Sequence, residues 1–114
     1  MKRGEIWTLK DSNYASKARP VVIVQASFEN DFDSVVLCLL TSFESSNIPT
    51  RVKIDPSSEN GLKKTSYVMT EKIVTVEKSL LGKLVGSLAD KTMHLIAGNL
   101  AKVLEIHKND IIEA

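Results

Sequence analysis

Cysteine occurs once in this chain of 114 residues, at Cys38, so no internal disulfide is available to brace the fold. Histidine occurs twice, at His94 and His107, and one Cys with two separated His does not make a zinc ligand set. The six aromatics (one Trp, two Tyr, three Phe) are little material for a groove that reads a proline helix. No apolar run approaches the roughly twenty residues of a membrane span. The N-terminus has no apolar stretch of signal-peptide type, so neither a membrane segment nor a leader is expected. Repeats and low-complexity segments are absent. Excess charge is absent too: 15 Lys and Arg face 14 Asp and Glu, for a net charge of +1 and a pI near 7.8. Any nucleic-acid site must therefore be a local basic patch, not a basic protein. Together these features suit a cytoplasmic chain, with Cys38 as a buried and inert thiol.

What remains is material for one core. Hydrophobic residues make up 43% of the chain, and the length fits a single domain over 1–114. The first part reads as short strands broken by turn signals. Strands are expected over 4–9, 19–26, 34–41, 50–54, 67–76 and 82–88, with one helical turn over 77–81. The runs at 19–26 and 34–41 are apolar on both faces, which argues that neither face meets water. Over 50–54 the pattern alternates, with Val52 on one face and Arg51 and Lys53 on the other. Residues 10–18 and 55–64 are polar loops. The period then changes. Met93, Ile96, Ala97, Leu100, Val103 and Leu104 recur at helical spacing, predicting a helix over 91–106 that lays one apolar face on the sheet. Asp90 is its N-cap candidate, and Gly98 weakens it by about 1 kcal/mol. Many short strands with one terminal helix predict a small, strongly bent antiparallel barrel.

Two apolar runs deliver polar residues to their ends. Arg19-Pro20 opens the run Val21-Val22-Ile23-Val24, and Val35-Val36-Leu37-Cys38-Leu39-Leu40 closes in Thr41-Ser42. A residue before proline is held extended, so Arg19 has a stiff mount. A guanidinium beside a hydroxyl is a phosphate-handling pair. Taken singly, Arg19 also suits a surface salt bridge, and Thr41 and Ser42 suit turn chemistry.

The ordered set of motifs resembles the MazF/PemK/Kid family of toxin endoribonucleases over about residues 2–104. The family pattern runs Arg-Gly-acid-Ile-Trp, Arg-Pro with an apolar strand, a strand closing in Thr-Ser, a Gly-Leu loop, an acidic residue, then Arg-Thr-Ile-Asp. Here the matches are Arg3-Gly4-Glu5-Ile6-Trp7, Arg19-Pro20, Thr41-Ser42, Gly61-Leu62, Glu71-Lys72 and Val74-Thr75-Val76-Glu77. The resemblance implies an SH3-like barrel decorated with helices. It implies a homodimer that cleaves single-stranded RNA by attack of the ribose 2′-OH, without metal or cofactor. It also implies inhibition by an antitoxin whose acidic, apolar tail covers the site. The family's catalytic pair maps onto Arg19 and Thr41. Arg19 suits charge stabilisation and is a poor base; Glu71 is a candidate proton acceptor by its chemistry, with a surface ion pair as its plainer alternative. Ser42, Lys17, Tyr14, Arg51, Lys53 and Lys72 are candidate RNA contacts, with Lys63 and Lys64 beside them.

The chain departs from the pattern at three places. Several relatives carry Arg where Met69 stands, Gln where Lys72 stands, and Arg where Val74 stands. The loop after the first strand is short, with Asn13, Tyr14, Ser16 and Lys17 in place of a Gly-rich charged segment. The cleavage sequence therefore does not carry over. The alternatives are a weak or inactive relative and a CcdB-like gyrase-binding toxin on the same fold. The tail His107-Lys108-Asn109-Asp110-Ile111-Ile112 does not resemble the latter.

Overall fold

The computed structural model describes residues 1–10, 17–27 and 32–111. Among these residues six strands form one sheet: β1 (Glu5–Leu9), β2 (Arg19–Ile23), β3 (Ser34–Thr41), β4 (Val52–Ile54), β5 (Ser66–Glu77) and β6 (Leu81–Ser87). One 3-10 turn, Lys78–Leu80, joins β5 to β6, and the helix α1 spans Asp90–Val103. All pairings are antiparallel, in the order β4-β5-β3-β2-β1-β6.

The two uniformly apolar runs become β2 and β3 at the middle of the sheet, and both faces of each are covered. Val22, Cys38 and Leu40 join Ile6, Val68, Met93 and Ile96 in a core on the helix side. Val21, Ile23, Val35, Leu37 and Leu39 join Leu9, Met69, Val76 and Leu81 in a second core on the opposite face. The split follows the alternation of side chains along a strand. Burial pushes the Cys38 thiol up to about 12, with the charge of Glu71 adding to the effect. That thiol does not ionise near neutral pH, as its apolar surroundings led us to expect.

The expected closed barrel is not formed by strand pairing. Among the described residues β4 and β6 stay as two sheet edges. The physical reason is the shortness of β4, three residues long, after which the chain leaves the sheet. The loop that follows bends back over β6 instead. Asn60 is buried and holds that bend: its Oδ1 accepts from the Ser57 and Leu62 N–H groups, and its Nδ2 donates to the Asp55 carbonyl at 2.9 Å. The Ser87 N–H then donates to the Glu59 carbonyl at 2.9 Å. Two glycines permit this approach. A Cβ on Gly61 (φ +67°) would lie 2.2 Å from the Val85 carbonyl oxygen, and one on Gly86 would lie 2.4 Å from that of Glu59.

The helix begins one residue earlier than its spacing suggests. Ala89 is the capping residue and makes no side-chain cap, so Asp90 is not the N-cap. Its carboxylate sits in the first turn, where the helix dipole favours it. Met93 and Ile96 are buried as expected, whereas Leu104 is exposed, because the helix stops at Val103. The stop is a Schellman motif: the Ile106 N–H donates to the Ala101 carbonyl and the Glu105 N–H to the Lys102 carbonyl. Glu105 holds the left-handed position at φ 54°.

Both helix imperfections can be removed. A Cβ on Gly98 would meet nothing within 4 Å. Gly98→Ala should therefore raise stability by about 0.8–1 kcal/mol. Glu105→Gly should raise it by about 1 kcal/mol through relief of the left-handed strain. Each should lift the melting temperature by a few degrees in a circular dichroism melt. A drop for Gly98→Ala would mean that the outer helix face is not free in solution.

Candidate functional site

β2 and β3 pair with Val21 opposite Leu39 and Ile23 opposite Leu37. Continuing that register outward by one more pair of alternate residues sets Arg19 across from Thr41, at the open end of the two strands. Both then fall on the face of Val21 and Leu39, away from the helix. The expected pair does come together. Arg19, Thr41 and Phe43 line two neighbouring cavities, and these three are the residues the cavities share. One cavity, of about 500 Å³, extends over Ser42, Gly61, Leu62, Lys63, Lys64 and Val85. The other, of about 670 Å³, extends over Arg51, Met69, Glu71, Lys72 and Val74.

The second cavity exists because β5 is bulged. Cys38 pairs with Ile73 and Leu40 with Val68, so four residues of β5, 69–72, face Leu39 alone. A bulge bends the strand and re-aims its side chains. An odd slip also exchanges faces, which is how Val68 and Ile73, five apart, reach the same helix-side core. Inside the bulge Thr70 is fully buried, and its hydroxyl donates to the Thr50 carbonyl at 2.7 Å. The Asn99 amide of α1 donates to that same carbonyl at 3.0 Å. Thr50 is thereby tied to both the bulge and the helix, and Arg51 follows it.

Arg51 turns its guanidinium onto Glu71. Its Nη2 donates to Glu71 Oε2 at 2.5 Å and its Nε donates to the same oxygen at 3.1 Å. Its Nη1 donates to the buried Ser45 hydroxyl oxygen at 2.9 Å. In turn the Ser45 hydroxyl donates to the Phe43 carbonyl at 2.8 Å, and the Phe43 N–H donates to Thr41 Oγ1 at 3.1 Å. A continuous chain of hydrogen bonds thus runs from Glu71 through Arg51, Ser45 and Phe43 to Thr41. Thr41 Oγ1 accepts in that chain, so its own O–H is left to donate elsewhere. The Arg51 hydrogen bonds hold the Glu71 carboxyl below the usual carboxylate range, against the opposing effect of burial. Glu71 is therefore ionised at neutral pH and is a weaker base than a free glutamate. The plainer of its two readings, an ion pair, describes its state, with Arg51 as the partner.

The other candidates separate. Ser42 and Lys72 are exposed and line the first and second cavity respectively. Lys63 and Lys64 line the first. Lys17 is exposed before β2 and lines neither cavity. Lys53 points to a different hollow, among Asp55, Glu59, Asn60 and Thr92. Tyr14, with Asn13 and Ser16, lies outside the described residues. Phe43 was not singled out by sequence reasoning; its place directly after Thr41-Ser42 was the available signal. Among the described residues Arg19, Arg51, Lys63, Lys64 and Lys72 face one carboxylate, Glu71, around the two cavities, so this patch is basic although the chain is nearly neutral. Met69 and Val74 form apolar wall, and the guanidinium beside Glu71 comes from Arg51 in the preceding loop. Among the described residues no three His, Cys, Asp or Glu side chains gather where they could hold a metal ion.

A family model described as PemK-like, MazF-like toxin of type II toxin–antitoxin system matches residues 2–104. The chain is 34% identical over 97 residues to a probable endoribonuclease MazF of Mycolicibacterium smegmatis, covering 82% of this chain and 86% of that one. It is 29% identical over 113 residues to an endoribonuclease MazF of Staphylococcus saprophyticus, covering 94% and 93%. The solved structure of a mycobacterial endoribonuclease in complex with its cognate antitoxin superposes with a TM-score of 0.79 at 31% identity, covering 94% of this chain and 97% of that one.

The ion pair makes a pH prediction. Glu71 has a depressed folded-state pKa, so its contribution to stability is present above the ordinary carboxylate pKa of about 4.3 and is lost as the pH falls through the folded value. The gap in melting temperature between wild type and Glu71→Gln should be full at pH 7 and should close on acidification below that range. In Arg51→Ala the Glu71 carboxyl should titrate closer to the ordinary value by ¹³C NMR. An unmoved titration would mean that the pair does not form in solution.

Proposed function

Because the chain belongs to the PemK-like, MazF-like toxins of type II toxin–antitoxin systems, we propose that it is a cytoplasmic, metal-independent and sequence-specific endoribonuclease acting on single-stranded RNA at Arg19 and Thr41. The observation that carries this reading is the meeting of Arg19 and Thr41 at the junction of two basic cavities. In the reaction the 2′-OH gives up its proton, the ribose 2′-oxygen bonds to the adjacent phosphorus, the P–O5′ bond breaks and the leaving 5′-oxygen takes a proton from water, leaving a 2′,3′-cyclic phosphate and a 5′-hydroxyl. The Arg19 guanidinium grips the phosphate oxygens as their charge grows. The Thr41 O–H, freed by the bond its oxygen accepts from Phe43, orients the same phosphate. Glu71 is the carboxylate lining the cleft and the acceptor for the 2′-OH proton in this reading, although Arg51 weakens it as a base.

RNA follows the basic walls, with Ser42, Lys63 and Lys64 on one side of the scissile phosphate and Arg51 and Lys72 on the other. Lys17 borders the start of β2, where a longer strand would pass. Lys53 lies off this path. The same patch suits an antitoxin tail that is acidic and apolar. Residues 1–114 act as one domain, and the 59–61 bend takes the place of a β4–β6 pairing in a barrel-like body. No described helix is long and apolar enough to cross a membrane.

Arg19→Ala should lower cleavage about 100- to 1,000-fold while its melt stays near wild type, since a half-buried side chain that already lines an open cleft leaves no enclosed cavity when it is removed. Arg19→Lys should also fail, because an ammonium keeps the charge without the fork. Cleavage of a long RNA transcript should survive EDTA and leave cyclic phosphate ends. Near-normal cleavage by a well-folded Arg19→Ala would remove Arg19 from the site.

The reading includes a homodimer. Leu80, Leu84, Leu95, Leu104 and Ile106 are exposed large apolar side chains on β6, α1 and their flanks, material for a contact between copies. Sedimentation at micromolar concentration should give a species near twice 12.6 kDa; a monomer alone would refute it.

A further inference from the structure

We infer that Phe43 is a stacking platform for the nucleobase beside the phosphate held at Arg19 and Thr41, an inference that rests on the RNA-directed reading of the cleft. Phe43 is 82% exposed, more than any other large apolar side chain among the described residues. Burying a phenylalanine is worth roughly 1.5–3 kcal/mol, so nothing in the fold itself accounts for a ring left in water. Its backbone is nevertheless firmly held. The N–H donates to Thr41 Oγ1, the carbonyl accepts from the Ser45 hydroxyl, and Ser45 is held by Arg51, itself clamped on Glu71. A mobile loop tip would show no such mount.

Position argues for the ligand. The two cavities share Arg19, Thr41 and Phe43, so a strand passing from one to the other crosses all three. A nucleotide presents a phosphate, a sugar and a flat base in that order. The guanidinium and the hydroxyl answer the first, and the ring answers the last. Among the described residues four further cations, Lys63, Lys64, Arg51 and Lys72, line the remaining walls against the single carboxylate of Glu71, which favours an anionic partner with aromatic faces over an apolar peptide. Stacking on a ring accepts every base, so Phe43 serves affinity and positioning more than choice of sequence.

The test uses full-length protein with two probes: a short fluorescein-labelled oligodeoxythymidine, which lacks the 2′-hydroxyl and cannot be cut, and a long single-stranded RNA transcript. Phe43→Ala and Phe43→Leu should weaken oligonucleotide binding in anisotropy titrations by about 5- to 150-fold, and Phe43→Tyr should stay near wild type. Melts and sedimentation should be unchanged for all three, and transcript cleavage should fall in step with binding. Wild-type binding by Phe43→Ala or Phe43→Leu would overturn the inference, as would a wild type that binds no oligonucleotide. A shift of Phe43→Ala to a smaller species would assign the ring to a contact between copies and also overturn it. Oligonucleotide binding with this pattern but no transcript cleavage would sink the nuclease reading and leave the stacking platform standing. Cleavage by Phe43→Ala at the wild-type rate would do the reverse.

Discussion

The cleft depends on the pairing of β3 with β5 and on the place where their register slips. β3 is apolar on both faces and cannot move without exposing one core or the other. It is therefore a rigid rod, and Thr41 stands at its tip. β5 must match that rod at both ends, with Ile73 on Cys38 and Val68 on Leu40, and the surplus residues 69–72 are pushed out between. Thr70 turns inward to fill its hydrogen bond at Thr50, and Glu71 and Lys72 are left on the outer face. One local irregularity thus supplies the floor of one cavity and the carboxylate that holds Arg51.

Polar satisfaction joins the parts. The Thr50 carbonyl accepts from a sheet residue, Thr70, and a helix residue, Asn99. Among the described residues no buried side-chain nitrogen or oxygen lacks a partner. A buried donor left unpaired costs about 1–3 kcal/mol, so each of these links resists displacement. The chain from Glu71 to Thr41 therefore rests on a base that the helix and sheet hold jointly. Arg51, with its bidentate reach, can be held by Glu71 and Ser45 at once, which a lysine could not do with the same geometry.

Charge is distributed in the same economical way. A chain with net charge +1 still gathers five cations around two cavities. Close charges lining a concave wall act on a bound anion far more than scattered ones, which water and salt screen over about 10 Å. A nearly neutral protein can accordingly serve a polyanion when its folding brings the charges together.

Much of this was legible along the chain. The doubly apolar runs predicted two central strands, and the helical spacing of Met93 and Ile96 predicted the buried helix face, because side-chain period alone separates the two kinds of element. Arg19 before Pro20 and Thr41 at a strand end were visible as polar residues closing apolar runs, and it was the family resemblance that made them a candidate pair. Other features depend on partners far apart in sequence. The stretch 67–76 reads as one unbroken strand, and only pairing with β3 reveals its bulge. Glu71 reads as a proton acceptor or as half of a surface ion pair, and its partner stays unnamed until Arg51, twenty residues earlier, is folded onto it. The open edges of the sheet follow from a bend at Asn60 that no alternation of residues announces. Local sequence determines which way each side chain points from its own backbone. Which residues then face one another is decided by register and bend, and these are settled by the whole core at once.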